Sequence, residues 1–177
     1  MKLLFLDIEN TLIDNLNDCN FLHNNCKKIS KLIKDIEPRG LNFFTWGWKE
    51  KKEIDINIVN NMLIKLGINP MHIGRACFVL TKATSVNAAI KKGWLKQEDY
   101  DRAIQPGMMK EFGLSKVSCF VEMVLDTVND EFLRNANATI KNPIEFWLID
   151  DLIEAKEEEK YFNGLVKIVL LNPKDLK

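Results

Sequence analysis

Short, nearly continuous apolar runs recur along the chain: "LLFL" (3–6), "LNFF" (41–44), "ACFVL" (76–80), "EFWLI" (145–149) and "KIVLL" (167–171). Strands covered by helices on both faces need no alternation of apolar and polar positions, so runs of this length read as buried parallel strands. Between them the apolar residues spread to helical spacing at roughly 21–36, 55–66, 116–133 and 151–161. Strand and helix taking turns predict an α/β fold, a doubly wound (Rossmann-like) parallel sheet with flanking helices. The stretch 82–115 breaks this rhythm, with helical pieces, a "QPG" breaker and no strand candidate. It predicts a small helical insertion, either a minimal cap or, as the preferred reading, padding at the sheet edge. The run "EAKEEEK" (154–160) reads as the solvated face of the last helix.

Composition narrows the class. A chain of 177 residues suits a single domain, 1–177. Twenty-five basic residues balance twenty-five acidic ones. No overall field therefore draws the protein to nucleic acid or membrane, and any nucleic-acid contact has to be local. No apolar run approaches a membrane span, and Asp7 interrupts the N-terminal run without a small-residue cleavage pattern, so the expectation is a soluble, cytoplasmic protein. Cys19, Cys26, Cys77 and Cys119 share no C-x-x-C spacing, and only His23 and His72 accompany them. Reduced, buried thiols are expected rather than a zinc site.

Chemistry enters at the strand ends. Asp7 follows "LLFL", Thr45 follows "LNFF", and Asp150 and Asp151 follow "EFWLI". Taken singly, each marks only where a strand gives way to a loop. In an open α/β sheet, however, ligands bind outside the carboxyl ends of the strands, so together the four residues define a candidate site.

The same residues carry a family resemblance. "DIENTLI" resembles the first motif of the haloacid dehalogenase-like (HAD) superfamily, usually Asp-x-Asp-x-Thr followed by an aliphatic residue. "FWLIDDLIEAKEEEKYFNGLVKIVLLNP" resembles its fourth motif, a strand ending in two acids, then a helix, then a last strand closing on Asn-Pro. "FFTWG" offers the Thr that ends the second strand, and Lys116 opens a helix ahead of the acid strand as the motif Lys does. The resemblance implies a Mg²⁺-dependent phosphomonoester hydrolase. Asp7 would be the nucleophile, forming an aspartyl-phosphate that water then hydrolyses. Mg²⁺ would be held by Asp7, Asp150 and the backbone carbonyl of Glu9, with Asp151 as an auxiliary metal group. Lys116 would offset the charge of Asp7 and the phosphate, a role for which Lys82 and Lys110 are alternatives, and Thr45 would donate to a phosphoryl oxygen.

The departure is Glu9, which stands where the family usually has the Asp that protonates the leaving oxygen and activates the water. Its extra methylene moves the carboxyl by roughly 1.3 to 1.5 Å, and a misplacement of about 1 Å can cost about a hundredfold. Two outcomes are open: a phosphatase whose backbone has adapted to the longer acid, or a weak or inactive HAD-like binding protein. Asp-x-Glu-x-Thr also resembles the first motif of DnaQ-like 3′ to 5′ exonucleases, which hold two metal ions. That family continues into a hairpin, whereas "DNLNDCNFLHNNCKKISKLIK" reads as a loop and a helix. PIN-like nucleases also open on a strand ending in Asp, but the closing stretch suits them less. The loop 14–20 is too short for a large cap, so the site would admit a nucleotide, a nucleic-acid end or another phosphorylated partner. In "TWGWK", Trp46 and Trp48 are expected to pack under a neighbouring helix rather than stack on a base.

Overall fold

The computed structural model describes residues 1–69 and 78–176. Its core is a six-stranded sheet built from β1 (Lys2–Leu6), β2 (Gly40–Phe44), β3 (Val79–Leu80), β4 (Ile144–Ile149), β5 (Glu157–Tyr161) and β6 (Val166–Leu171). The strand order is β3-β2-β1-β4-β6-β5. All neighbours pair in parallel except β5, which runs antiparallel to β6.

Successive side chains of each strand feed two cores. On one face Leu4, Leu6, Phe43 and Val169 meet Cys26 and Ile29 of α1 (His23–Ile36) and Val59, Met62 and Leu63 of α2 (Ile56–Lys65). On the other, Phe5, Phe44, Phe146 and Ile168 meet Phe120 and Val124 of α6 (Lys116–Thr127) and Leu133 of α7 (Asp130–Asn135). The Phe120 ring stands edge-on to Phe5 at 5.1 Å between centroids and tilted to Phe44 at 5.6 Å. Burial on both faces is why these strands show as continuous apolar runs.

The expected insertion is helical throughout its ordered elements: α3 (Lys82–Lys91), α4 (Tyr100–Ala103) and α5 (Met108–Glu111). Val86, Ala89, Leu95, Ala103 and Met109 form a small core that closes on Cys119 of α6.

Three expectations change. The predicted helix over 151–161 is absent: a turn follows the two acids, and Glu157–Tyr161 is the antiparallel edge strand β5. Both of its faces are exposed, so neither a helical stripe nor alternation marks it, and its charges protect an open sheet edge. Glu158 accepts from Lys156 at 2.8 Å and from Lys167 at 2.7 Å, which hold its carboxyl down to about 2. The helix expected over 116–133 is two helices. Val128 is extended and the Asn129 side chain caps α7 by accepting from Phe132 N at 2.8 Å. Of the run 76–80, only Val79–Leu80 is strand among the described residues, and His72 and Cys77 lie outside them. Cys19, Cys26 and Cys119 are free thiols. No helix among the described residues is long and apolar enough to cross a membrane.

Candidate active site

From β1 the chain passes outward to β2 and β3, then returns to the other side of β1 for β4. The strand order therefore reverses between β1 and β4, the place where an open sheet forms a crevice at its carboxyl edge. The ladders run one residue past the strands and level the polar ends. Asp7 N donates to Ile149 O at 2.9 Å, Thr45 N to Leu80 O at 2.9 Å and Asp150 N to Leu171 O at 3.1 Å.

Beyond Asp7 the chain makes one tight turn. Leu12 N and Ile13 N both donate to Ile8 O, at 2.8 and 3.1 Å, while Asn10, at φ 58°, takes the left-handed conformation that Asn tolerates. The turn buries Leu12 and Ile13 and leaves Glu9 half-buried. The loop 14–20 then closes on itself, with Asp14 accepting from Asn20 N at 2.9 Å and from Asn20 Nδ2 at 2.8 Å. Glu9 Oε1 accepts from Leu16 N at 3.3 Å. Its Oε2 lies against Gly47, where a Cβ would collide with it. The absence of a Cβ at Gly47 thus leaves the space that the longer acid occupies.

Lys116 is the first residue of α6. Ser115 caps that helix by accepting from Ser118 N at 3.0 Å, and the Ser118 hydroxyl reaches back to Ser115 N. This places a lysine, only 4% exposed, above the sheet edge. Its Nζ pairs closely with Asp7 Oδ1 and lies 2.9 Å from Asp150 Oδ2. Burial pushes the Asp7 carboxyl up to about 7. The Lys116 charge opposes that shift and Asp150 reinforces it. For Lys116 burial works downward, but the two carboxylates outweigh it and its pKa is raised. Asp151, half-buried, is raised by burial and then by Asp150.

The acid turn is pinned from β6. Asn172, in the closing Asn-Pro, donates Nδ2 to Asp151 O at 2.9 Å and to Ile153 O at 2.8 Å. Asp150 Oδ1 accepts from Leu152 N at 2.9 Å. Asp7, Asp150 and Asp151 each offer a carboxylate oxygen, all within 4.8 Å of one another. Such an oxygen set fits a hard divalent cation without selecting one species. The Glu9 side chain is not part of this group.

Thr45 is fully buried, and its Oγ1 accepts from Gly47 N at 3.0 Å, leaving the hydroxyl proton for another acceptor. Asp7, Glu9, Thr45, Lys116 and Asp151 line one cavity of about 270 Å³ together with Trp46, Gly47, Lys82, Pro106 and Gly107. Of the alternative lysines, Lys82 lines this cavity, whereas Lys110 is exposed and does not. Trp48 packs in the core beneath α1 and α2, and Trp46 donates Nε1 to Ser85 Oγ of α3 at 2.7 Å while keeping contact with the cavity. A larger cavity of about 600 Å³, lined by Leu3, Phe5, Phe78 and Met123 among others, has no carboxylate among the described residues of its wall. The acids and Lys116 therefore single out the smaller one as the candidate site. Gly47, Pro106 and Gly107 are site residues that the sequence alone did not single out. "TWG" and "QPG" were their only signals.

No family model matches the chain, and neither a curated protein nor a solved structure gives a significant match.

Proposed function

We propose that the chain is a Mg²⁺-dependent, HAD-like phosphomonoester hydrolase acting through an aspartyl-phosphate on Asp7. The observation that carries this reading is the convergence of Asp7 and Asp150 on the buried Lys116 ammonium at the strand-order reversal. A nucleophilic carboxylate, a fixed cation and a set of oxygen ligands are what phosphoryl transfer needs, since its demands are mainly positioning and charge neutralisation.

An Asp7 oxygen forms the new bond to phosphorus as the bond to the ester oxygen breaks, and Glu9 gives that leaving oxygen its proton. Water then attacks phosphorus, Glu9 takes the water's proton, and the phosphoryl bond to Asp7 breaks to release phosphate and restore the carboxylate. The Lys116 charge opposes the upward push of burial on Asp7 and offsets charge on the phosphoryl oxygens, to which the Thr45 hydroxyl donates. Asp7, Asp150 and Asp151, with the carbonyl of Glu9, would hold Mg²⁺, which supplies further neutralisation of the phosphoryl group when bound. The space left by Gly47 favours the adapted acid over the defective one.

One observation favours the second reading, a HAD-like binding protein without turnover: Lys116 already engages oxygens of two of the three acids. Phosphate release from a panel of phosphomonoesters, with and without Mg²⁺, separates the two. Mg²⁺-dependent release lost in Asp7→Asn is expected. No release from any ester would leave the binding protein, and cleavage of phosphodiesters instead would point to a nuclease.

A further inference from the structure

Lys82 is 3% exposed, the first residue of α3, and no carboxylate lies within ion-pair distance of it among the described residues. Its Nζ donates to the carbonyl of Gln105 and stands 5.9 Å from the Trp46 ring centre. A second ammonium comes to the same residue: Lys49 Nζ donates to Gln105 Oε1 at 3.0 Å, and among the described residues no carboxylate lies within ion-pair distance of it either. The backbone fixes both lysines, since Lys82 N donates to Trp48 O at 3.0 Å and Ala83 N to Lys49 O at 2.8 Å. Two like charges thus converge on one neutral residue, Gln105, beside the Asp7 cavity: Lys82 lines that cavity together with Pro106 and Gly107, which follow Gln105 in the chain, and in the same cavity Lys116 by contrast has two carboxylates. A buried charge without a counter-charge is costly, and such a group is expected to meet one in something that binds. Burial, and then the Lys49 charge, lower the Lys82 pKa, as an unmatched cation requires.

We propose that Lys82 and Lys49 form a second anion subsite beside the catalytic cavity, so that the preferred substrate is a phosphomonoester carrying another anionic group next to the phosphate that is removed. This rests on the phosphohydrolase reading for the identity of the reacting group, but not for the binding of an anion. The second anion can be the other phosphate of a small bisphosphate or the backbone phosphate of a phosphorylated nucleic-acid end. Both present the same charged oxygens to the lysines.

The test compares kcat/KM in Mg²⁺ for a nucleoside 5′-monophosphate, a nucleoside 3′,5′-bisphosphate and a 5′-phosphorylated dinucleotide. Hydrogen bonds to charged groups make the expected preference for the two-anion substrates about 10- to 100-fold. Lys82→Met should erase that preference and Lys82→Arg should retain most of it. Preference for the bisphosphate alone assigns the small source, and preference for the dinucleotide alone assigns the nucleic-acid end. A preference untouched by Lys82→Met, or an equal loss on all three substrates, overturns the subsite. A second arm needs no turnover: in metal-free buffer, pyrophosphate should raise the unfolding temperature of the wild type and of Asp7→Asn, but not of Lys82→Met. Lys82→Met removes an unmatched buried charge, so it should fold with an unfolding temperature at or above the wild type. If no ester is hydrolysed yet this Lys82-dependent shift is present, the hydrolase reading fails and the subsite stands. If pyrophosphate gives the wild type no shift, the subsite fails whatever the enzyme turns over.

Discussion

Asp7 carries a stability cost that its chemistry explains. Its folded pKa of about 7 lies above the ordinary 3.8, so the folded state holds a proton that the unfolded chain releases between those values. The stability linked to that proton is fully present below about pH 4 and is lost as pH rises through about 7. Asp7→Asn, which cannot ionise, should remove this fall. We expect the metal-free variant to match the wild type near pH 4 and to exceed it near pH 8 by on the order of a few kcal/mol, read from denaturant unfolding across that range. Glu9 and Gly47 form a second pair. A Cβ at Gly47 meets the Glu9 carboxylate and the end of Leu16, both flexible side-chain ends that can move aside. Gly47→Ala should therefore shift the unfolding temperature little while lowering turnover of alkyl phosphates, which need a proton on the leaving oxygen, more than that of activated aryl phosphates. Equal loss on both ester types would separate Glu9 from acid catalysis. Glu9→Asp, in a pocket shaped for the longer acid, should lower activity as well.

Among the elements, β1, β2, β4 and β6 were legible because each is buried on both faces, and α6 because Val117, Phe120 and Val124 share one side. Lys116 could be picked out for the same reason, as the polar residue opening that amphipathic helix. The edge strand β5 was not legible: Glu157 to Lys160 are all exposed, so no apolar period distinguishes strand from helix, and only pairing with β6 decides. The break between α6 and α7 depends on the Asn129 cap, a local hydrogen bond that the apolar spacing overrides when read alone. Asn172 shows how an element end supports chemistry. Its amide ties the acid turn to the end of β6, and Asn172→Ala would leave the carbonyls of Asp151 and Ile153 without that donor. We expect a loss of about 1 to 3 kcal/mol by denaturant unfolding. Weaker divalent-metal binding by calorimetry should accompany it, since Asp150 and Asp151 sit on the turn that Asn172 holds.

The molecule as a unit explains why a chain ends a buried strand on acids. Asp7 and Asp150 are far apart in sequence but adjacent across the strand-order reversal, and the register of β1 on β4 brings their carboxyls to one ammonium. That convergence could be anticipated from strand ends alone. The roof could not: Pro106 and Gly107 reach the cavity through the packing of α3 to α5 against α6, which no local pattern announces, and they meet there Lys82, which the sequence offered only as an alternative to Lys116. The three-acid group predicts that Mg²⁺ raises the unfolding temperature by mass action, and that Asp150→Ala abolishes the rise. The most direct measurement is mass spectrometry of acid-quenched protein turning over a phosphomonoester in Mg²⁺. We predict one phosphoryl adduct on the peptide containing Asp7, absent from Asp7→Asn along with turnover. Mg²⁺-dependent phosphate release that proceeds undiminished in Asp7→Asn, with no adduct in either protein, would contradict the covalent mechanism and leave Asp7 as a metal ligand or a structural group.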